Sequence, residues 1–434
     1  MKVKPQDVRY LIFEGGGGKG ATYLGALQAL EDLGIVKYKK RRINNQSVYR
    51  LDNKQIKGLA GTSVGSLTAL LIAAGYTSEE IKDFLLTNLT DQFLDSVEFG
   101  LIPTIYTPQH QECVIEDPRL KEGAEFAQEE WNQFIEQEDK SLKGILKIPI
   151  KLLRETPQHV FVLLFKWYLY NEAKKESKKK EEDLTFLPTP ADLVRSKTLK
   201  NAVDKILNNP TDSFNSLKHE FGFFLGKGLR DTIDHLIEMK SGIKNCTFEQ
   251  FQKEFGVDLV ICTFDMYSKK VEYLRNNKKW GKLCVADAVR MSVSIPFVFK
   301  PVFMHFINGN IASLTDNIQD FHYFVDGGVA NNFPIHVFDN PSRSRLNPNT
   351  IGFVLSYNKQ INPFSEETSL FEYLEDVFMT ILKQTTMLQI KHQSEMDQVI
   401  ELDPGNLKVL DFSFDKAPTK IIAKAKEEVL TYFE

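Results

Sequence analysis

Three short stretches of this chain hold residue types that could do chemistry together. GTSVG (61–65) sets a serine, Ser63, between Gly61 and Gly65. A serine that attacks an acyl carbon must stand clear of its own backbone. A sharp strand-to-helix turn achieves this when the flanking glycines let strand and helix approach without a Cβ clash. The stretch follows the β-like run QIKGLAG (55–61) and precedes the apolar helical run SLTALLIAAG (66–75), so the helix N-terminus faces the place where negative charge would develop. Taken alone, five matching residues also fit an ordinary helix start.

GGGGKG (15–20) admits three chemistries. A dinucleotide site would want an acidic residue about 20 positions on, where the chain has KYKKRR (37–42), suited only to a phosphorylated ribose. A P-loop needs Ser or Thr after its lysine, but Lys19 is followed by Gly20. The third is an oxyanion hole, in which unshielded glycine amides point at an oxygen as it becomes anionic. A plain tight turn is the ordinary alternative, though it requires fewer glycines. DGGVANN (326–332) is the third stretch; an aspartate at a strand end projects a carboxylate into any cleft at that edge, and Asp326 alone would read equally as a turn cap.

A glycine loop near the start, G-x-S-x-G next and D-G-G late in the chain together resemble the patatin-like phospholipases, over roughly 8–100 and 250–360. EGGGGKG (14–20) is similar to that family's D-G-G-G-x-[RK]-G, with Glu14 in the aspartate's place, a departure read as outside the chemistry. ADAVRMSVSIPFVFKPV (286–302) is similar to its A-x-x-A-S-x-A-x-P-x-x-F-x-P segment, with Ser292 and Pro296 in register. The resemblance implies Ser63 as nucleophile and Asp326 as its only side-chain base. It implies an oxyanion hole from the amides of Gly16, Gly17 and Gly18, with Lys19 adding charge or bracing the loop, and structural roles for Gly15, Gly20, Gly61, Gly65, Gly327 and Gly328. The implied reaction is ester cleavage of a phospholipid or lysophospholipid through an acyl-enzyme, without cofactor or metal. Some members of the family are bacterial effectors switched on inside host cells and others are triggered by nucleotide signals, so a protein or nucleotide activator is a further expectation.

Two other readings stay open: a Ser-His-Asp esterase, and a catalytically silent module of the same fold. Of the eight histidines (His110, His159, His219, His235, His305, His322, His336, His392), only His336 and His392 follow the acid in the order a triad hydrolase needs. His322 precedes Asp326 by four extended residues, about 13 Å, too far to grip one serine with it.

The elements that must position these residues read as α/β. VRYLIF (8–13), VDLVICTF (257–264), KVEYL (270–274), HYFVDGG (322–328) and TIGFVLSYN (350–358) carry strand patterns, and helices follow the first two glycine turns. The expectation is a three-layer core with a mainly parallel central sheet, built from 8–102 and 247–360. Residues 103–246 read as a mostly helical insertion or cap. Residues 361–434, with a long helix near 365–396, strands VIEL (399–402) and LKVLDF (407–412) and a terminal helix 420–430, read as a region packed on the core.

A formal charge of −4 over 434 residues argues against a general nucleic-acid binder. Cys113, Cys246, Cys262 and Cys284 stand too far apart for a disulfide framework or zinc site. The N-terminus lacks a signal-peptide pattern, and HVFVLLFKWYLY (159–170) is too short to span a bilayer, which takes roughly 20 residues. The expected location is cytoplasmic with peripheral membrane association, or alternatively secretion without a signal peptide. LKGILKIPIKLLR (142–154), a basic amphipathic stretch, is a candidate for the membrane contact.

Overall fold

The computed structural model describes residues 2–85, 97–118, 205–206, 209–308, 310–314, 321–342, 345–356, 380–390, 392–405, 407 and 419–434. The expectations for 142–154, 159–170 and 408–412 lie outside them. In chain order the principal elements begin with β1 (Tyr10–Phe13), α1 (Tyr23–Asp32), β2 (Tyr38–Ile43), β3 (Gln46–Leu51), β4 (Gly58–Thr62), α2 (Val64–Ala74) and α3 (Ser78–Leu85). A small hairpin follows, β5 (Leu101–Pro103) and β6 (Val114–Glu116). After it come α4 (Lys227–Ser241), α5 (Phe248–Phe255), β7 (Asp258–Asp265), β8 (Lys270–Leu274), α6 (Val285–Ser292), β9 (Val302–Ile307), β10 (Asn310–Ala312), β11 (Phe321–Asp326), β12 (Thr350–Leu355), β13 (Val399–Leu402) and α7 (Thr419–Phe433).

One nine-stranded sheet runs β10-β9-β11-β7-β4-β1-β12-β13, with β8 also on β7. The five strands β7, β4, β1, β12 and β13 are parallel, and β8, β9, β10 and β11 are antiparallel to their neighbours. Parallel strands are buried on both faces and so read as continuous apolar runs. Alternate residues divide between two clusters: Leu11, Phe13, Leu59, Ile261, Ile351 and Phe353 face the main core, and Ile12, Ala60 and Val260 face Phe333, Ile335 and Leu346. Helices α1, α2, α4, α5, α6 and α7 fill the main core. This is a mixed, mostly parallel sheet flanked by helices, with the central strands parallel as expected.

Glycine permits the contact between α1 and α7. A Cβ on Gly25 of α1 would lie 2.1 Å from the Ile422 carbonyl oxygen of α7, so the two helices approach only because there is none. Towards the C-terminus, β13 joins the sheet beside β12 and α7 packs on α1.

Several elements differ from the sequence reading. Lys227–Ser241 falls within the segment read as an insertion, yet its Leu229, Ile233, Leu236 and Ile237 belong to the main core, and the Tyr76 hydroxyl donates to Leu236 O at 2.9 Å. The run KYKKRR lies in the β2–β3 hairpin, turned by Asn44 and Asn45 at φ 45° and 66°, the turn geometry asparagine tolerates. The helix expected through 396 ends earlier. Residues 380–387 are helical; a turn follows, and Gln393–Gln398 is a 3-10 helix leading into β13. His336 bonds to the Gln389 carbonyl at 2.6 Å in that turn, taking up an acceptor the helix leaves open.

Candidate active site

The sheet register brings the serine and the aspartate together. Strands β8 and β4 both pair with Ile261 and Cys262, so they lie on opposite edges of β7. Strands β8 and β11 both pair with Thr263–Asp265, so they too are on opposite edges. It follows that β4 and β11 share one edge and meet end to end, Thr62 opposite Cys262 and Asp326 opposite Thr263. The residue after β4 is Ser63; the last residue of β11 is Asp326.

Ser63 has φ 53° and ψ −128°, a left-handed φ that costs a non-glycine residue about 1–3 kcal/mol. Close backbone packing enforces it. A Cβ on Gly61 would lie 2.2 Å from the Gly65 carbonyl, and one on Gly65 would lie 2.3 Å from Phe13 O. The Ser63 amide donates to Ser292 Oγ at 2.8 Å, and that hydroxyl donates to Cys262 O at 2.6 Å. Ser292, fully buried on α6, thus ties the turn to β7.

Asp326 is buried. Its amide donates to Ser294 O at 2.9 Å, its Oδ1 accepts from the Gly328 amide at 2.8 Å, and the Ser63 side chain lies near enough to favour its charged form. Burial pushes its carboxyl up to about 7, against the opposing effect of the nearby Ser63 side chain and of the bond from Gly328. Cys262, the titratable neighbour on β7, is pushed up to about 12, by burial first and by the Asp326 charge as well. It therefore stays a neutral thiol where Asp326 titrates.

The glycine loop passes over the same serine. A Cβ on Gly15 would lie 3.2 Å from Ser63 Cβ, and one on Gly20 would lie 2.3 Å from Val64 Cγ2. Gly16 is extended, and Gly17, at φ 55°, opens the 3-10 helix Gly17–Thr22. The amide of Lys19 donates to Gly16 O at 3.2 Å, closing the first turn. The amides of Gly17 and Gly18 precede that closing bond and have no acceptor within the turn. Lys19 is partly exposed.

Glu14 is more than a substitute for an aspartate. It is wholly buried and gathers the Leu355 amide at 2.6 Å, the Asn332 amide nitrogen at 3.2 Å and the Thr386 hydroxyl. Asn332 also donates to Gly15 O at 3.2 Å, while its Oδ1 is buried without a partner. The signal available in the sequence was the pair Asn331-Asn332 soon after D-G-G, polar residues in an otherwise apolar run.

The histidines needed for a triad are engaged elsewhere. His336 bonds to Asp339 at 2.7 Å and to Gln389 O. His392 is exposed, with its amide bonded to Glu395. His322 bonds to Asp265 at 2.6 Å.

The family profile described as patatin-like phospholipase matches residues 11–339, which hold all three motifs. The chain belongs to this family. An uncharacterised protein of Acanthamoeba polyphaga mimivirus is 25% identical over 193 residues, 43% of this chain and 57% of that protein. The protein YqhO of Bacillus subtilis (strain 168), also uncharacterised, is 35% identical over 97 residues, 22% of this chain and 28% of that one. Both matches thus span less than two thirds of the relative. Among solved structures, VipD from Legionella pneumophila is similar at 16% identity and TM-score 0.40, covering 98% of this chain and 67% of that one. The ExoU–SpcU complex of Pseudomonas aeruginosa is similar at 14% identity and TM-score 0.37, covering 99% and 52%.

Proposed function

We propose that this protein is a lipid acyl hydrolase, cleaving fatty-acyl esters of glycerophospholipids or lysophospholipids with a Ser63–Asp326 dyad. The observation that carries this reading is the register that ends β4 against β11, so that Ser63, held at positive φ, and the buried Asp326 carboxyl come together. Asp326 accepts the Ser63 proton as Oγ attacks the ester carbonyl carbon. The developing oxyanion takes hydrogen bonds from the Gly17 and Gly18 amides, with Gly16 extending the chain past it. Collapse breaks the ester C–O bond, and the proton on Asp326 passes to the leaving alcohol or lysolipid. Water, giving its proton to Asp326, then attacks the acyl-serine, and the fatty acid leaves as Ser63 is restored.

Neither His336 nor His392 is bonded to Ser63 or Asp326, which favours the dyad over a triad. A silent module would have no need of a strained serine against a carboxylate. The substrate reading includes contact with a membrane surface. The test is fatty-acid release from phospholipid vesicles, followed by mass spectrometry of the products, with and without cell extract to supply any activator. Ser63→Ala is expected to abolish release while circular dichroism and the melting temperature stay near wild type. Full turnover by the folded Ser63→Ala protein would exclude the assignment.

A further inference from the structure

We propose that Thr385 and Thr386, on the helical stretch 380–387 beyond the family-matched residues, are positioning residues that hold the base loop and the glycine loop in register around Ser63. The inference rests on the dyad reading. The two adjacent hydroxyls go to different halves of the site. Thr385 Oγ1 donates to Gly328 O at 3.0 Å, and Gly328 is the residue whose amide bonds to Asp326. Thr386 Oγ1 donates to Glu14 Oε1, and Glu14 immediately precedes the glycine loop. Asn332 closes the ring, its side-chain nitrogen within reach of Glu14, Gly15 O and, at 3.3 Å, Thr386 Oγ1.

Both hydroxyls also lie within hydrogen-bond distance of Leu382 O, at 2.9 and 3.0 Å, as threonines in helices commonly do. That local bond needs no residue outside the helix. The bonds to Gly328 and Glu14 reach 57 and 372 positions along the chain and end on buried acceptors. Packing fixes the same contact, since a Cβ on Gly328 would lie 2.6 Å from Leu382 Cδ2. Thr385 and Thr386 are both buried. The stretch touches the base loop and the glycine loop at once, so its seating sets the distance between proton acceptor and oxyanion donors. A displacement near 1 Å in such an arrangement costs on the order of 10²-fold in rate.

The experiment compares Thr385→Val and Thr386→Val, which remove one hydroxyl each at nearly constant volume, with Thr385→Ser and Thr386→Ser, which keep it. The readouts are kcat and KM on a soluble short-chain ester, and the pH dependence of kcat. Each Val variant is expected to lose ~10-fold or more in kcat with KM within ~2-fold, and each Ser variant to recover most of it. Thr385→Val should also shift the midpoint of the kcat–pH curve upward. It loosens Gly328, the residue whose N–H favours the charged form of Asp326, and the neutral Cys262 thiol cannot replace that bond. Thr386→Val, which acts on the glycine loop, should leave the midpoint in place.

Val variants with wild-type kcat, or Ser variants as damaged as the Val ones, would overturn the proposal. If Thr386→Val does not fold cooperatively, Thr385→Val decides by the same readouts, because it leaves Glu14 and its partners intact. Ser63→Ala and Asp326→Asn serve as controls. If both are inactive while the Val variants are normal, the positioning role alone fails; if both are active, the dyad itself does.

Discussion

Asp326 is a carboxylate kept where charge is expensive, and that sets both its reactivity and its effect on stability. A base near 7 is charged enough to accept a proton at neutral pH and basic enough to hold it. The kcat of the wild type should therefore fall as pH drops through about 7, because the protonated carboxyl cannot take the Ser63 proton. In the unfolded chain an aspartate titrates near 4. The folded state thus binds the extra proton between about 4 and about 7, and its stability decreases as pH rises through that window. Asp326→Asn should lower turnover by ~10³-fold or more. At pH 8 the same variant should melt above wild type, since its neutral amide still accepts from Gly328 and no buried charge remains. Melting curves at pH 5 and 8 check the sign: the gain should shrink at pH 5, where the wild-type carboxyl is protonated.

At the scale of elements, the glycine loop is a structural joint, and the proposed mechanism gives it a second task at the oxyanion. Gly15 and Gly20 are constrained by neighbours, Asn332 Oδ1 at 2.4 Å and Val64 Cγ2 at 2.3 Å from where a Cβ would lie. Gly17 is constrained by its own φ of 55°, which a β-branched residue adopts only with strain. Gly17→Val should move the amides away from the developing oxyanion and reduce kcat by ~10²-fold, with KM changed only a few-fold, because such donors act mainly in the transition state. Steady-state kinetics on a soluble ester would show it. A variant that lost binding alone would point back to a nucleotide site at this loop.

At the scale of the molecule, one buried ion pair fastens the chain on both sides of residues 119–204. Lys300 and Glu220 are essentially inaccessible and paired to each other. The Lys300 ammonium also donates to Glu98 O and to Leu101 O at 2.7 Å, and Glu220 accepts from the Gly100 amide at 2.8 Å. Segments 97–101 and 216–222 are thereby fixed on the strand that opens at Val302. Removing one partner of such a pair leaves an uncompensated charge, typically a loss of about 3–5 kcal/mol. Lys300→Met should lower the denaturation midpoint accordingly, while Ser63 in the protein that remains folded still reacts with a serine-directed fluorophosphonate.

The sequence by itself determined the pieces whose cause is local. VDLVICTF is a strand because apolar and β-branched residues run on from Leu259, and KVEYL because Val271 and Tyr273 alternate with charged residues, and β7 and β8 fall within a residue of them. Ser63, the glycine loop and Asp326 were legible because each motif is a backbone necessity, a turn whose close approaches only glycine permits. The β2–β3 hairpin escaped notice because its charged residues are exposed and follow no core-facing alternation; only Asn44-Asn45 marked the turn. Tertiary structure alone decided that β4 and β11 end against each other on one edge of β7, since strand register depends on pairing across some 200 residues of chain. It alone decided the place of Glu14 as well. A glutamate beside four glycines gives no local sign that its partners will be Leu355, Asn332 and Thr386, because burying a carboxylate requires donors gathered from wherever the fold brings them.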